Sequence, residues 1–470
     1  MRTNLILASA ALAALASCTK TADPFDAAFA EAQKMADGIA IPKFCTDTFN
    51  IVNFGADTKG DASGNGNAIN AAIDSASASG GGVVLIPEGE WLTGPVVLKS
   101  NVNLHLDKGA LLKFSTNYSD YLPGVVTRWE GVDCHNLSPL IYANKAVNIG
   151  ITGKGIIDGQ ANNETWWFMK GREKYGWSEG LLSQELGGRD TLLAYDRNKV
   201  PLENRKEFGI NDALRPQLIN ICHSQNVLIE GVTLRNSPFW NIHPLFVDGL
   251  VVRGVRIESH GPNSDGCDPE SCSNVLIEDC FFDTGDDCIA IKSGRNNDGR
   301  KWNKPSENIY VRNCKMADGH GGVVLGSEIA GGFKNLWVEN CQMDSPELDR
   351  VIRIKTSTCR GNVIENVWVR DVEVGVCKEC VLKINLIYEQ DENCDHSFNP
   401  TVRNVNMKNV NSKKSKYGVY AIGIDGLDEN ISNINVIDCS FDGVEAGNSL
   451  THATNVSFSN TKINGKAVTE

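Results

Sequence analysis

Apolar residues alternate with polar ones in short bursts along most of this chain, and the bursts share one frame. A turn residue is followed by apolar, any, apolar, any, then Asn, Asp or Gly, then a small or apolar residue. The frame reads NVLIEGV from Asn226, GLVVRGV from Gly249, NVLIEDC from Asn274, NIYVRNC from Asn308 and NLWVENC from Asn335. It continues as NVWVRDV from Asn366, NVNMKNV from Asn404, NINVIDC from Asn433 and NVSFSNT from Asn455, with an early copy, NIGITGK, from Asn148. Eight steps cover 229 residues between Asn226 and Asn455, each 22 to 38 residues long.

Apolar side chains at the first and third places have the period of a strand. The Asn, Asp or Gly at the fifth place suits a bend in the left-handed region. Short strands joined by turns at this interval predict a solenoid whose coils stack through parallel pairing. Leucine-rich spacing is absent and no 3.6-residue period recurs, so the expected fold is all-β, a parallel β-helix. Cys280, Cys314, Cys341 and Cys439 fall six places after their anchors, where other coils carry Val232, Val255, Val372 and Val410. They are expected to be inward-facing core thiols.

The chain ahead of the repeats divides into distinct parts. Residues 1–17 read as a targeting segment: Arg2, an apolar run from Leu5 to Ala16 too short to span a bilayer, then small residues. LASC, Leu15 to Cys18, resembles a bacterial lipoprotein signal in which Cys18 is lipidated; an ordinary secretory signal is the alternative. Residues 18–45 read as a linker, and 46–470 as a single β-helix domain. Within that domain Asn67 to Ala78 is expected as a short helix. An excursion over about 158–212, rich in charge and carrying Trp166, Trp167 and Trp177, is expected to be partly helical and to lie over one face. The expected setting is export, as an outer-membrane lipoprotein touching the membrane only through its anchor, and as a monomer.

Charge narrows the partners. A net charge of −13 argues against nucleic acid, whose binding runs on clustered Lys and Arg. It does not exclude an anionic substrate, because a local cationic site outweighs a distant screened background.

Four polar clusters stand late in successive coils: NSDG from Asn263, GDDC from Gly285, GHGG from Gly319 and RIK from Arg353. Asp265 lies 16 places after its anchor, Asp286 and Asp287 lie 12 and 13, His320 lies 12 and Arg353 lies 18. With coils about 4.8 Å apart, similar offsets bring three carboxylates, a histidine and two cations into one column. Any one cluster alone is ordinary turn chemistry; the four in order and in register carry the reading. Paired carboxylates suit glycoside hydrolysis, one protonating the leaving oxygen while another activates water. Crowding raises one pKa so that one carboxyl keeps its proton. Arg353 and Lys355 can pair with a sugar carboxylate, which points to a uronic acid, and His320 can adjust the proton inventory.

Taken together, NSDG, GDD, GHG and RIK resemble the signature of glycoside hydrolase family 28, the polygalacturonases and their relatives, from about Phe49 to the last coils. That resemblance implies a right-handed parallel β-helix of the pectin-lyase-like kind, an inverting mechanism, and no metal or cofactor. It implies Asp286 as general acid, Asp265 with Asp287 activating water, and His320 supporting the acid. Asn263 would belong to the substrate site, and Arg353 and Lys355 would hold a galacturonate unit of a pectic polysaccharide or oligogalacturonide. Ser264 stands where the family usually has Thr. The stretches from Arg215 to Pro244 and from Ser293 to Ile309 are similar to bacterial exo-acting members. Trp240, His243, Arg295 and Trp302 are therefore candidates for the wall of a pocket.

Two rivals share the scaffold, a rhamnogalacturonan hydrolase and a pectate lyase, the latter needing Ca²⁺ and an arginine base. A non-catalytic pectin-binding protein would need no carboxylate trio beside an anionic sugar. Cys377, Cys380, Cys394 and His396 form a C-x-x-C…C-x-H pattern that admits zinc, although in an exported protein a disulfide or a buried pair is expected instead.

Overall fold

Three parallel sheets run along the axis of the molecule: a long sheet of 16 strands, a short sheet of seven, and a third in two segments of four and six strands. The computed structural model describes residues 23–468, so the targeting segment and Cys18 lie outside the described residues. Each coil visits the long, short and third sheets in turn, which makes the fold the expected right-handed parallel β-helix. We call the third sheet the groove sheet. Among the described residues no helix is long and apolar enough to cross a membrane.

The repeat frame is the long sheet. First-place residues pair in unbroken register, Val227 with Leu250, Leu250 with Val275, Val275 with Ile309, and onward to Ile434 with Val456. The fifth-place residues Asp279, Asn313, Asn340, Asp371, Asn409, Asp438 and Asn460 all adopt positive φ, between 46° and 56°. The asparagine anchors do so too, with φ between 52° and 65°. Their amides stack into a ladder, Asn308 donating to Asn274 at 3.2 Å, Asn335 to Asn308 at 2.9 Å and Asn366 to Asn335 at 3.0 Å. Asparagine is suited to both tasks, since it tolerates the left-handed region and carries one donor and one acceptor per coil. Cys280, Cys314, Cys341 and Cys439 are buried in the core as expected.

Helix α1 (Pro24–Gly38) corrects part of the expected linker. The second place of the frame points outward, yet in five successive coils it holds Leu228, Val251, Leu276, Tyr310 and Trp337. This apolar stripe is covered by Phe25, Phe29 and Ala32 of α1, each Phe worth about 1.5–3 kcal/mol on burial. Further along, the same place turns polar, and Asn435 donates to Asn406 at 2.9 Å. The helix is pinned at its start by an ion pair between Asp23 and Lys408. Helix α2 (Ala62–Ala78) closes the N-terminal end of the core with Ile69, Ala72, Ile73 and Ala76. It begins five residues before the expected helix because the Asp61 side chain accepts from the Gly64 amide at 2.7 Å and caps it there.

Three additions stand over the groove sheet. An antiparallel hairpin joins Val125–Trp129 to Val132–Asn136. The excursion runs from the end of Ile156–Asp158 to Ile219–Cys222, six residues beyond the expected limit, and contains 3₁₀ turns and helix α3 (Gly188–Arg197). Helix α4 (Asn296–Trp302) fills the extra length after the GDD coil and leans on α3, the Asp298 amide donating to Asp196 Oδ1 at 2.8 Å.

Candidate active site

The four clusters occupy the loops that lead into the groove sheet, or that sheet itself. Its two segments are joined only by isolated bridges at Cys267 and Glu270, so the NSDG coil interrupts regular pairing where the aspartates gather. Ser264 Oγ donates to the Ser259 and Gly261 carbonyls at 2.6 and 2.7 Å and accepts from the Gly285 amide at 3.2 Å. One hydroxyl thus ties the NSDG loop to the GDD loop. In GHGG, a Cβ on Gly319 would lie 2.7 Å from the Asp286 carbonyl, and one on Gly321 would lie 3.1 Å from Asp287 Oδ1 and clash with Val324. Glycine lets this loop press against both aspartates. In the strand Arg350–Lys355, Ile352 and Ile354 enter the core while Arg353 and Lys355 point outward, as period two demands.

Single oxygens of Asp265, Asp286 and Asp287 lie within 4.8 Å of one another. Each carboxylate has its own cation. Asp286 Oδ1 is 3.1 Å from His320 Nδ1. Asp287, fully buried, has Oδ2 2.7 Å from Lys355 Nζ and Oδ1 3.5 Å from Arg353 Nη1. Asp265 Oδ2 is 3.7 Å from Lys292 Nζ. Asp265 and Asp286 open into a cleft of about 590 Å³, with Asp287 buried behind them. Asn263, Trp240, Lys292, Arg295, Arg353 and Lys355 line it from the solenoid side, Lys170, Arg172, Lys174, Tyr175 and Arg189 from the excursion, and Tyr388 and Glu389 from a third side. Nine Lys and Arg side chains meet six Asp and Glu there, so the cleft reverses the sign of the whole chain.

The model of glycosyl hydrolases family 28 matches residues 204–465, more than half of the chain and all four clusters. The chain belongs to this family. A crystal structure of an exopolygalacturonase from Thermotoga maritima is 37% identical, superposes with a TM-score of 0.89, and is matched over 94% of this chain and 97% of that one. A probable polygalacturonase of Vitis vinifera is 29% identical over 70% of this chain and 61% of its own length. An exo-poly-alpha-D-galacturonosidase of Dickeya chrysanthemi is 30% identical over 64% of this chain and 50% of its own. The chain thus spans about half to three fifths of the length of these two relatives.

Protons are distributed unevenly over this family 28 site. Burial, then the neighbouring Asp286, pushes Asp265 well above the usual carboxyl range. Burial pushes Asp286 up as well, but the hydrogen bond and charge of His320, with Lys355 and Lys292, outweigh it and hold that carboxyl low. The Asp286 hydrogen bond in turn lifts His320 to about 9 against the desolvation that lowers it. Among the three carboxyls it is Asp265 whose protonated form burial favours, while Asp286 and His320 each favour the charged form of the other. The expected acid, Asp286, is thus in hydrogen-bond reach of a histidine that can carry a proton for it.

Of the pocket-wall candidates, Trp240 and Arg295 reach the cleft and two do not. His243 is fully buried, Nε2 2.8 Å from Glu270 and Nδ1 2.9 Å from Asn220. It faces outward on its strand, but the hairpin covers it, with Arg128 donating to Glu270 at 2.9 Å and Thr127 to Asn220 at 2.9 Å. Trp302, 45% exposed, ends α4 on the far side, donating to Asp133 at 2.7 Å and packing on Phe246 at 4.8 Å. The cysteine pattern divides between a disulfide and buried thiols, with a disulfide partner from outside the pattern. Cys394 forms a disulfide with Cys359, while Cys377 and Cys380 are buried free thiols in the next coil. The bridge fastens the loop that supplies Tyr388 and Glu389 to the cleft.

Several participants gave no signal in the sequence pattern. Arg215, fully buried, donates to Asn263 Oδ1 at 2.9 Å and to the Pro238 and Pro262 carbonyls at 2.8 Å, fixing the NSDG loop. Tyr388 lays its ring 5.5 Å from both Arg353 and Lys355. Lys292 stands six residues past Asp286, close enough that a scan of charges downstream of GDD finds it.

Proposed function

We propose that this chain hydrolyses α-1,4-linked galacturonic acid in pectin as an exo-acting polygalacturonase. The observation that carries the reading is the carboxylate trio standing beside Arg353 and Lys355, which pair with its Asp287 at the floor of a cationic cleft. An anionic sugar is drawn to that floor, and its carboxylate competes with Asp287 for the same two cations. The proton shared by Asp286 and His320 passes through Asp286 to the departing glycosidic oxygen, leaving Asp286 a carboxylate and His320 neutral. A water on the other side of the sugar, losing its proton to Asp265 or Asp287, adds to the anomeric carbon as the glycosidic bond breaks.

The spacing of the trio is tighter than the about 6.5–9.5 Å common in inverting glycosidases and nearer the about 5–5.5 Å of retaining ones. Inversion is still the better reading, because both oxygens of Asp287 are held by cations and Asp265 is buried, which leaves neither as a free nucleophile. Proton NMR of the first product from an α-linked substrate tests this: the β-anomer is expected, and initial α-anomer would assign an aspartate as nucleophile.

Exo action is supported by the excursion, whose Lys170, Arg172, Lys174 and Tyr175 wall one side of the cleft, and by the names of two of the relatives above. Incubating purified protein with polygalacturonate tests it. Saturated galacturonate units from the first minutes are expected; a ladder of oligomers means endo cleavage, no product redirects the search to rhamnogalacturonan, and rising ultraviolet absorbance means a lyase. Export and anchoring through Cys18 are part of the same proposal, since α1 docks on the solenoid six residues after that cysteine. Palmitate labelling of the producing cells tests the anchor, and failure of the wild type to label would end it.

A further inference from the structure

Asp265 is the member of the trio that neither His320 nor the RIK strand pairs with. Among the described residues its single ion pair is with Lys292, and its Oδ1 has no hydrogen-bond partner. Three acids face it, Asp286, Asp287 and the fully buried Asp268, against two cations, Lys292 and Lys355. Burial and the three acids favour the protonated carboxyl, which cannot take a proton from water, and the two cations oppose them.

Lys292 is held where it can oppose them. Its side chain is 4% exposed, with Nζ 3.1 Å from Glu328 Oε2 and 4.4 Å from the centroid of the Trp240 ring. Glu328 is fixed by Arg295 at 3.4 Å and by Ser327 Oγ at 3.2 Å. Trp240 is fixed by stacking on Phe239 and by the edge of His243. A lysine gives up rotamer freedom when held like this, and a cation over an indole face at this distance is favourable. The ammonium thus sits on a rigid bracket beside Asp265 and at the wall of the cleft.

We propose that Lys292 is a positioning residue for the reaction, its ammonium clamped between Trp240 and Glu328 so that Asp265 is available as a carboxylate on the water side of the sugar. This rests on the hydrolytic reading given above. It gives His243, buried and outside the cleft, a use as the backing of the Trp240 wall, and it makes Arg295 the far anchor of a chain running through Glu328 and Lys292 to Asp265.

The test compares wild type with Lys292→Met, Lys292→Arg and Glu328→Gln by carbon-13 NMR titration of the Asp265 carboxyl in the ligand-free protein, and by pH profiles of kcat/KM. Lys292→Met is expected to raise the Asp265 midpoint by about one pH unit or more, the effect of an opposite charge at this range. The acidic limb of kcat/KM should move with it, losing about tenfold in rate at low pH for each unit. Lys292→Arg should restore most of both. Glu328→Gln, which frees the ammonium for Asp265 and removes a negative charge, should move the midpoint down. A folded Lys292→Met protein with midpoint and limb both unmoved overturns the proposal. If that variant does not fold, an unmoved midpoint in Glu328→Gln overturns it instead. The NMR titration needs no substrate, so wild type that fails on polygalacturonate would defeat the functional reading while Lys292 is still judged.

Discussion

Each coil of this molecule has two kinds of turn, and they are built on opposite terms. The turn residues at the two ends of the long-sheet frame are nearly the same in every coil: Asn, Asp or Gly at positive φ, with amides stacked on the coil before. The approach to the groove sheet differs from coil to coil and carries NSDG, GDD, GHGG and, on the strand itself, RIK. The first kind joins its side chains to the coil before by single amide hydrogen bonds, with no two carboxylates of the stack paired against each other. The second crowds three carboxylates within 4.8 Å and depends on His320, Lys292, Arg353 and Lys355 to make that tolerable. Uniform turns make the scaffold rigid, and the irregular ones use that rigidity to hold like charges together.

The comparison breaks if the two kinds of turn respond alike to mutation. The largest effect is expected at the irregular turns. Asp286→Asn should lower kcat by about 10²–10⁴ while the circular dichroism spectrum of the folded protein is unchanged. Lys355→Met leaves Asp287 buried without its 2.7 Å partner, and breaking a buried pair in this way should cost about 3–5 kcal/mol in urea unfolding as well as substrate affinity. Asn335→Ala removes two ladder hydrogen bonds at a position of positive φ. It should cost about 2–3 kcal/mol with kcat unchanged; a matching loss of kcat would show that the ladder is not separate from the site.

The smallest effect is a shift in pH dependence. The proton shared by Asp286 and His320 is present below about pH 9 and lost above it. Wild-type kcat/KM should therefore fall as pH rises through about 9. In His320→Gln the hydrogen bond that stabilises this proton is gone, so the basic limb should move to lower pH with about a tenfold loss at neutral pH. An unmoved limb would take His320 out of the proton pair.

Much of this was legible from periodicity. The anchors from Asn226 to Asn455 pair as their spacing demands, and the Asp265, Asp286, Asp287, His320, Arg353 and Lys355 column follows from similar offsets in stacked coils. The pattern failed where an element leaves the repeat. His243 sits at an outward strand position and looks like a wall residue, but a hairpin more than a hundred residues away covers it. Trp302 follows GDD closely in the chain, but α4 turns it away. Cys394 lies near Cys377 and Cys380 in sequence, yet its loop carries it back to Cys359. The apolar second places from Leu228 to Trp337 were on the page as sequence, and their partner, α1, lay in a segment that looked like a linker.

Alternation of apolar and polar residues is enough to dictate the β-helix, because in a solenoid each coil meets only its neighbours and the pairing rule is local. Stacking then aligns the aspartates without further information. What needed the tertiary structure was the charge balance around them and the walls of the cleft. Those depend on Lys292, Arg215, Glu328, Tyr388 and the excursion, whose loops have no fixed length and whose contacts span tens to hundreds of residues. The energy of an ion in a buried site is set by every charge and dipole within several ångströms, and that neighbourhood exists only once the chain has folded.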